Sequence, residues 1–199
     1  PYDLERDLAP VSLVVVGPYL LVVHPSVPAR NVKDLIALAH SQRGKLNFGS
    51  SGAGSSAHLA AALFNLMAKV NIVHVPYKGA AEFVIATAAG QIDMSFSSIS
   101  AALPLLDAGK LRSLAVSVAK RVSLMPTIPT IAESGLPGYD HSSWIGVLAP
   151  AGVPKDVIAR LNAEIGKGVK TPEMTELFFK QGLEPLPNTP EQFAALIRS

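Results

Sequence analysis

The sequence predicts an α/β fold with mostly parallel sheets and flanking helices. Two observations carry that reading. Short β-branched apolar runs alternate with helix-like segments of about ten residues, the pattern of strand–helix–strand units joined by right-handed crossovers. Hydrophobic residues make up 49% of the 199-residue chain and charged residues only 16%, against roughly 25% charged in an average globular protein. A chain of this length and composition buries roughly 70% of its surface, so disorder is excluded.

Taken in order, Leu13–Val16 and Tyr19–Val23 read as strands interrupted by Gly17-Pro18. Asn31 is placed to cap a helix whose Val32, Leu35, Ile36 and Ala39 share one face, and Gly44 ends it. A short strand near Leu46–Phe48 leads into Gly49-Ser50-Ser51-Gly52-Ala53-Gly54-Ser55-Ser56. The next helix is expected to bury Leu59, Leu63, Phe64 and Met67. Strand Ile72–Val75, turn Pro76–Gly79, helix Ala81–Ala89 and strand Ile92–Phe96 follow. A helix from Ser98 to Ala108 and a strand Leu111–Ser117 complete this part. After a proline-rich connection from Ala119 to Gly138, Trp144–Leu148 reads as one more strand. Pro154 then starts an amphipathic helix with Val157, Ile158, Leu161 and Ile165 on one face, and shorter helices follow Pro172 and Pro190.

Several function classes fall away early. The net charge of +2 gives no electrostatic footprint for nucleic acid or an anionic membrane surface. The absence of cysteine removes disulfides, thiolate catalysis and Cys-ligated zinc. The charge-free runs Leu8–Ala29 and Leu46–Ala68 are broken by prolines or by Gly and Ser, so neither is a continuous apolar span. The five histidines show no metal-ligand spacing, and no cofactor motif is complete.

Open α/β sheets bind ligands at the carboxyl ends of their strands. The Gly/Ser loop before Ala57 is an anion site in prospect, because a helix N-terminus exposes free N–H groups and the positive end of its dipole. The alternative is a tight turn whose serines only cap the helix. Gly52-Ala53-Gly54-Ser55-Ser56-Ala57 fits the dinucleotide pattern formally, yet residues 59–81 offer no acidic partner for a ribose. Ser55 stands where a phosphate-binding loop needs lysine, and no nucleophile elbow occurs. His58, one turn on, is placed either to reach a carboxylate or to cap and pack. Tyr77-Lys78-Gly79-Ala80-Ala81 and Phe96-Ser97-Ser98-Ile99-Ser100 are two further strand ends feeding helices. Trp144 reads as packing rather than as a stacking platform.

These motifs resemble those of one family. His74-Val75-Pro76-Tyr77-Lys78-Gly79 is similar to its hallmark, and Ser50 through Leu59, Gly109 through Val116, Pro129 through Gly135 and Trp144 through Pro150 follow in family order. The family is that of the extracytoplasmic solute receptors of tripartite tricarboxylate transporters, Bug or TctC-like. The resemblance implies a type II periplasmic binding fold of two α/β lobes closing on a carboxylate. It implies a near-complete lobe over residues 22–146, with residues 1–21 and 147–199 forming an incomplete, discontinuous second one. It assigns ligand binding to Ser51, Gly52, Gly54, Ser55, Ser56, His58, Lys78, Gly79 and Ala80, with Ser97 and Ser98. The partners implied are a small carboxylate and the membrane subunits of a tripartite transporter, in the periplasm, with no cofactor, no nucleic acid and no membrane insertion.

The family's first strand and its Gly-rich loop with a Thr-Asp pair find no counterpart, and the chain starts at Pro1 with neither an initiator Met nor a signal peptide. A processed or front-truncated protein is therefore expected, with a short final helix and unpaired sheet edges available for association. Two competing readings stay open. One is an α/β enzyme acting on a carboxylated metabolite, with Ser, Lys78 or His58 as its chemistry; the other is a sensing or docking module without a transport role.

Overall fold

The computed structural model describes residues 3–198. In chain order the elements are α1 (Leu4–Asp7), β1 (Leu8–Val23), α2 (Val32–Ser41), β2 (Asn47–Ser50), α3 (Ser56–Ala68), β3 (Val73–Pro76), α4 (Ala80–Ala88), β4 (Met94–Ser98), α5 (Ile99–Asp107), β5 (Arg112–Val116), β6 (Ser142–Pro150), α6 (Lys155–Val169), α7 (Pro172–Lys180), β7 (Glu184–Pro185) and α8 (Pro190–Arg198). They divide into two compact units, Pro18–Ser142 and Pro1–Gly17 with Ser143–Ser199. The chain passes between units at residues 17–18 and 142–143. No linker marks either passage, because β1 and β6 each run on through it.

In the unit Pro18–Ser142 the strand order is β3-β2-β4-β1-β5. β2 pairs parallel with β3 and with β4, while β1 is antiparallel to both β4 and β5. β4 and β5 therefore point the same way, and β1 alone runs against the others. The sheet is mostly parallel, as the alternation of strands and helices predicts, with β1 inserted antiparallel between β4 and β5. That alternation fixes which strands are joined by crossovers but not where an incoming strand inserts.

Gly17-Pro18 does not break β1, which is one strand of 16 residues. Its register, Leu20 opposite both Ser97 and Val116, places Leu20–Val23 at the centre of the core. A run buried on both faces is the signature of a central strand.

Helix α2 begins as its sequence dictates: Asn31 Oδ1 accepts the Asp34 N–H at 2.9 Å and buries Val32, Leu35 and Ala39 below it. Helix α3 buries Phe64 and packs Leu63 and Met67 against the core as expected, but not Leu59. Its buried face is Ala57, Ala60, Ala61, Phe64 and Ala68, and Leu59 is 50% exposed. The small residues let α3 approach the sheet closely, and Phe64 fills the gap against Phe96 and Tyr139. Tyr139 stacks on Phe96 and donates its hydroxyl to Ala60 O at 2.8 Å, which satisfies its only polar atom in the core.

At the amino ends of the parallel strands, Asp93 and Asn47 exchange hydrogen bonds of 2.8 and 3.0 Å that lock β2 to the turn before β4. Asp93 is thereby structural, and Asp107 lies on the last turn of α5.

In the other unit, the first half of β1 pairs with β6 and, at Val15–Pro185 and Val16–Glu184, with β7. Asn162 of α6 bridges the Val11 and Asn188 carbonyls at 2.8 and 2.7 Å. Phe193 of α8 lies over Gly146 and meets the edge of Trp144 at 5.4 Å. Of the apolar face of α6, Ile158 and Ile165 are half-buried, whereas Val157 and Leu161 are 42% and 41% exposed.

Candidate binding site at the carboxyl edge of the sheet

The carboxyl ends of β2, β3, β4 and β5 gather at one edge of the sheet, and β1 enters there at Tyr19. Three helices start at that edge. Ser55 caps α3, accepting the His58 N–H at 3.3 Å, which leaves the Ser56 and Ala57 amides without an intrahelical acceptor. Gly79 precedes α4 and Ser98 precedes α5, and no side chain caps either helix. Helix α2, which starts at the opposite edge, is closed by Asn31. The open helix starts and their dipoles thus concentrate on one edge, where Lys78 is the cation closest in sequence.

The loop between β2 and α3 owes its path to two glycines. Gly52 and Gly54 have φ of +107° and +81°, and a Cβ on either would meet nothing within 4 Å. They are needed for backbone conformation, and the space above them is open. Ser50, fully buried, organises the loop from below: its Oγ accepts the Gly52 N–H at 3.1 Å and lies 2.7 Å from His74 Nε2. Ser55 Oγ donates to Gly52 O at 2.8 Å.

β3 is held beside this loop by the Ser50–Pro76 register and by the Tyr77 N–H, which donates to Ser50 O at 2.8 Å. That contact sets the position of Lys78, Gly79 and Ala80. The Lys78 side chain is exposed, and its N–H donates to Glu82 Oε2 at 3.2 Å.

Most of the residues the motifs singled out are brought to this edge. Ser51, Gly52, Gly54, Ser55, Ser56 and His58 form one continuous rim, Lys78, Gly79 and Ala80 a second, and Ser98 a third. Ser97 is the exception. It is fully buried, and its hydroxyl lies 3.0 Å from Ser95 Oγ, which lies 2.9 Å from Thr87 Oγ1. That hydroxyl chain ties α4 to β4 inside the core, because Ser97 alternates with Ser98 along the strand and points to the other side of the pleat.

Sequence reasoning missed several residues. His74 stacks on Phe48 at 5.0 Å and packs 4.5 Å from the His58 ring. Burial holds the His74 imidazole below its ordinary value, and His58 adds to the effect. Ser117 exchanges hydrogen bonds with Tyr19, accepting at Oγ and donating from its backbone, both at 2.9 Å. Its Oγ donates to His141 O at 2.6 Å. His141 is also held low by burial, opposed by a hydrogen bond from its ring to the Ser56 backbone and by the Asp140 charge. Its Nε2 is the buried side-chain atom left without a partner among the described residues. The positions of His74 and Ser50 were legible in the motifs; that of His141 was not, because it lies far along the chain.

Ser50 Oγ and His74 Nε2 have the spacing of a nucleophile and its base, but Ser50 is buried and bonded to Gly52. No carboxylate pairs with either histidine ring among the described residues. Nor does any group of three His, Cys, Asp or Glu side chains stand ready for a metal among those residues.

An open sheet with loops and helix dipoles turned to one edge defines an α/β module with the geometry to hold a small anion. Within that class the chain belongs to the TctC family, the tripartite tricarboxylate transporter family receptors, whose family model matches residues 1–199. It is 39% identical to the UPF0065 protein of the tcbD–tcbE intergenic region of Pseudomonas sp. (strain P51), over the whole of this chain and 60% of that protein. Among solved structures it resembles R. palustris Rpa4515 with adipate, at 36% identity and a TM-score of 0.85, covering 99% of this chain and 66% of that one. It also resembles MatC from Rhodopseudomonas palustris with bound malate, at 28% identity and a TM-score of 0.81, covering 99% and 68%.

The chain therefore spans about 60% of the length of its curated relatives, one lobe with part of another. Solved relatives include a periplasmic binding protein, BugD. No helix among the described residues is long and apolar enough to cross a membrane.

Proposed function

We propose that the protein, in its full length, is a periplasmic receptor that captures a small carboxylate and delivers it to the membrane subunits of a tripartite tricarboxylate transporter. It acts by binding and carries out no chemistry on its ligand. The observation that carries this reading is the set of helix starts left open at one sheet edge, two of them uncapped, beside a glycine loop with free space above it. Such an edge suits a carboxylate, whose oxygens accept several N–H donors at once. The ligand-facing groups are the backbone and hydroxyls of Ser51, Gly52, Gly54, Ser55 and Ser56, with Gly79, Ala80 and Ser98. Lys78 and His58 border them, and Ser97 supports the strand from within. Adipate and malate, bound by the two R. palustris relatives, identify the ligand class to try first. Recognition through backbone donors also explains how a chain with 16% charged residues can hold an anion. Residues 18–142 supply one jaw of the cleft and the longer polypeptide the other.

Calorimetry of the full-length protein against adipate, malate, citrate and acetate tests the proposal. One-to-one binding of at least one di- or tricarboxylate is expected; no heat with any of them would sink it.

A further inference from the structure

The proposed carboxylate rim is not simply a row of free donors, because its two glycine amides are tied back to imidazoles. Gly54 donates its N–H to His58 Nδ1 at 3.3 Å. Gly52 donates to Ser50 Oγ at 3.1 Å, and that oxygen lies 2.7 Å from His74 Nε2. In the first bond the acceptor is the Nδ1 lone pair of His58, the same site a proton on that nitrogen would occupy.

We propose, building on the receptor reading above, that carboxylate binding at this rim is coupled to uptake of one proton by His58. The proton, taken from solvent, occupies the Nδ1 lone pair. The Gly54 N–H then has no acceptor within the loop and turns to the carboxylate. The imidazolium adds a positive charge beside an anion otherwise held by dipoles.

The surroundings of His58 decide the direction of the coupling. The groups against it are the Gly54 N–H from the loop, the Phe48 ring from β2 at 6.2 Å, the His74 ring from β3 at 4.5 Å, and Ser55 at the head of its own helix. His141 borders the same loop from the far side, at Ser56. Among the described residues no carboxylate forms a salt bridge with these imidazoles, and the acidic group that acts on them is Asp140, which opposes the lowering of His141. In the free protein a proton on Nδ1 would set two donors face to face and place a charge against His74. A bound carboxylate removes both penalties by accepting from Gly54 and supplying the opposite charge. His74, held low by burial and then by His58, stays neutral and keeps its bond to Ser50.

Binding and protonation strengthen each other by the same factor. Affinity is therefore expected to tighten about tenfold between pH 8 and pH 5.5, inside the roughly 5–150-fold span of such couplings. Titration calorimetry with adipate at pH 7, in buffers of different ionisation heat, counts the protons taken up per ligand. The full-length protein should take up a measurable fraction of one proton. His58→Gln offers Gly54 an acceptor that cannot be protonated, and should abolish both the uptake and the pH dependence. Should that variant not fold, the ring resonances of His58 in the parent, with and without adipate, report the same protonation.

Adipate binding without proton uptake, or uptake that survives His58→Gln, overturns the proposal while leaving the receptor reading intact. No binding of adipate, malate, citrate or acetate at any pH overturns the receptor reading itself, and this proposal with it.

Discussion

Gly49→Ala tests how the floor of the candidate site is built. Gly49 is buried on β2, one residue before Ser50. A Cβ there would meet Ile92 Cδ1 at 2.4 Å, Phe83 Cβ at 2.7 Å and Tyr77 Cε2 at 3.4 Å. Ile92 Cδ1 is the end of a flexible side chain and can rotate away. Phe83 Cβ is fixed to the α4 backbone, so α4 must move by several tenths of an ångström. Overpacking of this kind costs roughly 1–3 kcal/mol. For a protein of this size about 2 kcal/mol lowers the melting temperature by roughly 4–8 °C.

The assay must see the right unit. The single tryptophan, Trp144, lies outside Pro18–Ser142, so its fluorescence does not report the mutated sheet. Scanning calorimetry with far-UV circular dichroism does. The displaced α4 start should also weaken carboxylate binding through Gly79 and Ala80. A melting temperature within 1 °C of the parent's would refute the packing of β2 against α4. The matched control is Gly52→Ala, where no atom lies within 4 Å and the cost is backbone strain alone at φ +107°, on the order of 1–3 kcal/mol.

Three further outcomes follow from other parts of the molecule. Tyr139→Phe removes the bond to Ala60 O while keeping the ring stack, and should lower stability by about 1 kcal/mol in urea titration; no loss would mean the hydroxyl is not bonded. His74 and His141 are both held below the ordinary imidazole value of 6.5. The unfolded chain thus binds more protons than the folded one just below that value, so stability should be full above about pH 6.5 and decline as pH falls. Thermal melts from pH 8 to 5 check the sign, and a flat or inverted profile would contradict it. Gly146→Ala would drive a methyl group into the Phe193 ring, 2.1 Å from Cζ. It should quench or shift Trp144 fluorescence, since Trp144 packs on the same ring, while leaving the core around Tyr139 intact.

Much of the unit Pro18–Ser142 could be read from the sequence because its signals are local. Asn31 with Asp34, Gly44 and the Gly/Ser loop each act within a few residues, and each element they bound was found within about four residues of its place. What stayed hidden depends on partners distant in sequence. Gly17-Pro18 reads as a break, yet β1 continues because its pairing with β6, β7, β4 and β5 outweighs two poor strand residues. Of the large apolar residues of α3 that looked like its core face, Phe64 is buried but Leu59 is not, and alanines line the rest because the sheet lies close. The site follows the same division. Gly52 and Gly54 were visible as backbone requirements, whereas the burial of Ser97 and the approach of His141 to Ser56 appear only once β4 and the residue-140 segment take their places.

The central claim is that a carboxylate is held by backbone donors at the ends of β2, β3 and β4. Amide nitrogen–proton spectra of the full-length protein, recorded while adipate is added, test it most directly. The account predicts that the largest shifts fall on Gly52, Gly54, Ser56, Ala57, Gly79 and Ala80, while the Asn47–Asp93 tie at the opposite edge stays still. Saturable shifts centred elsewhere, or none on these amides when adipate is bound, would contradict it.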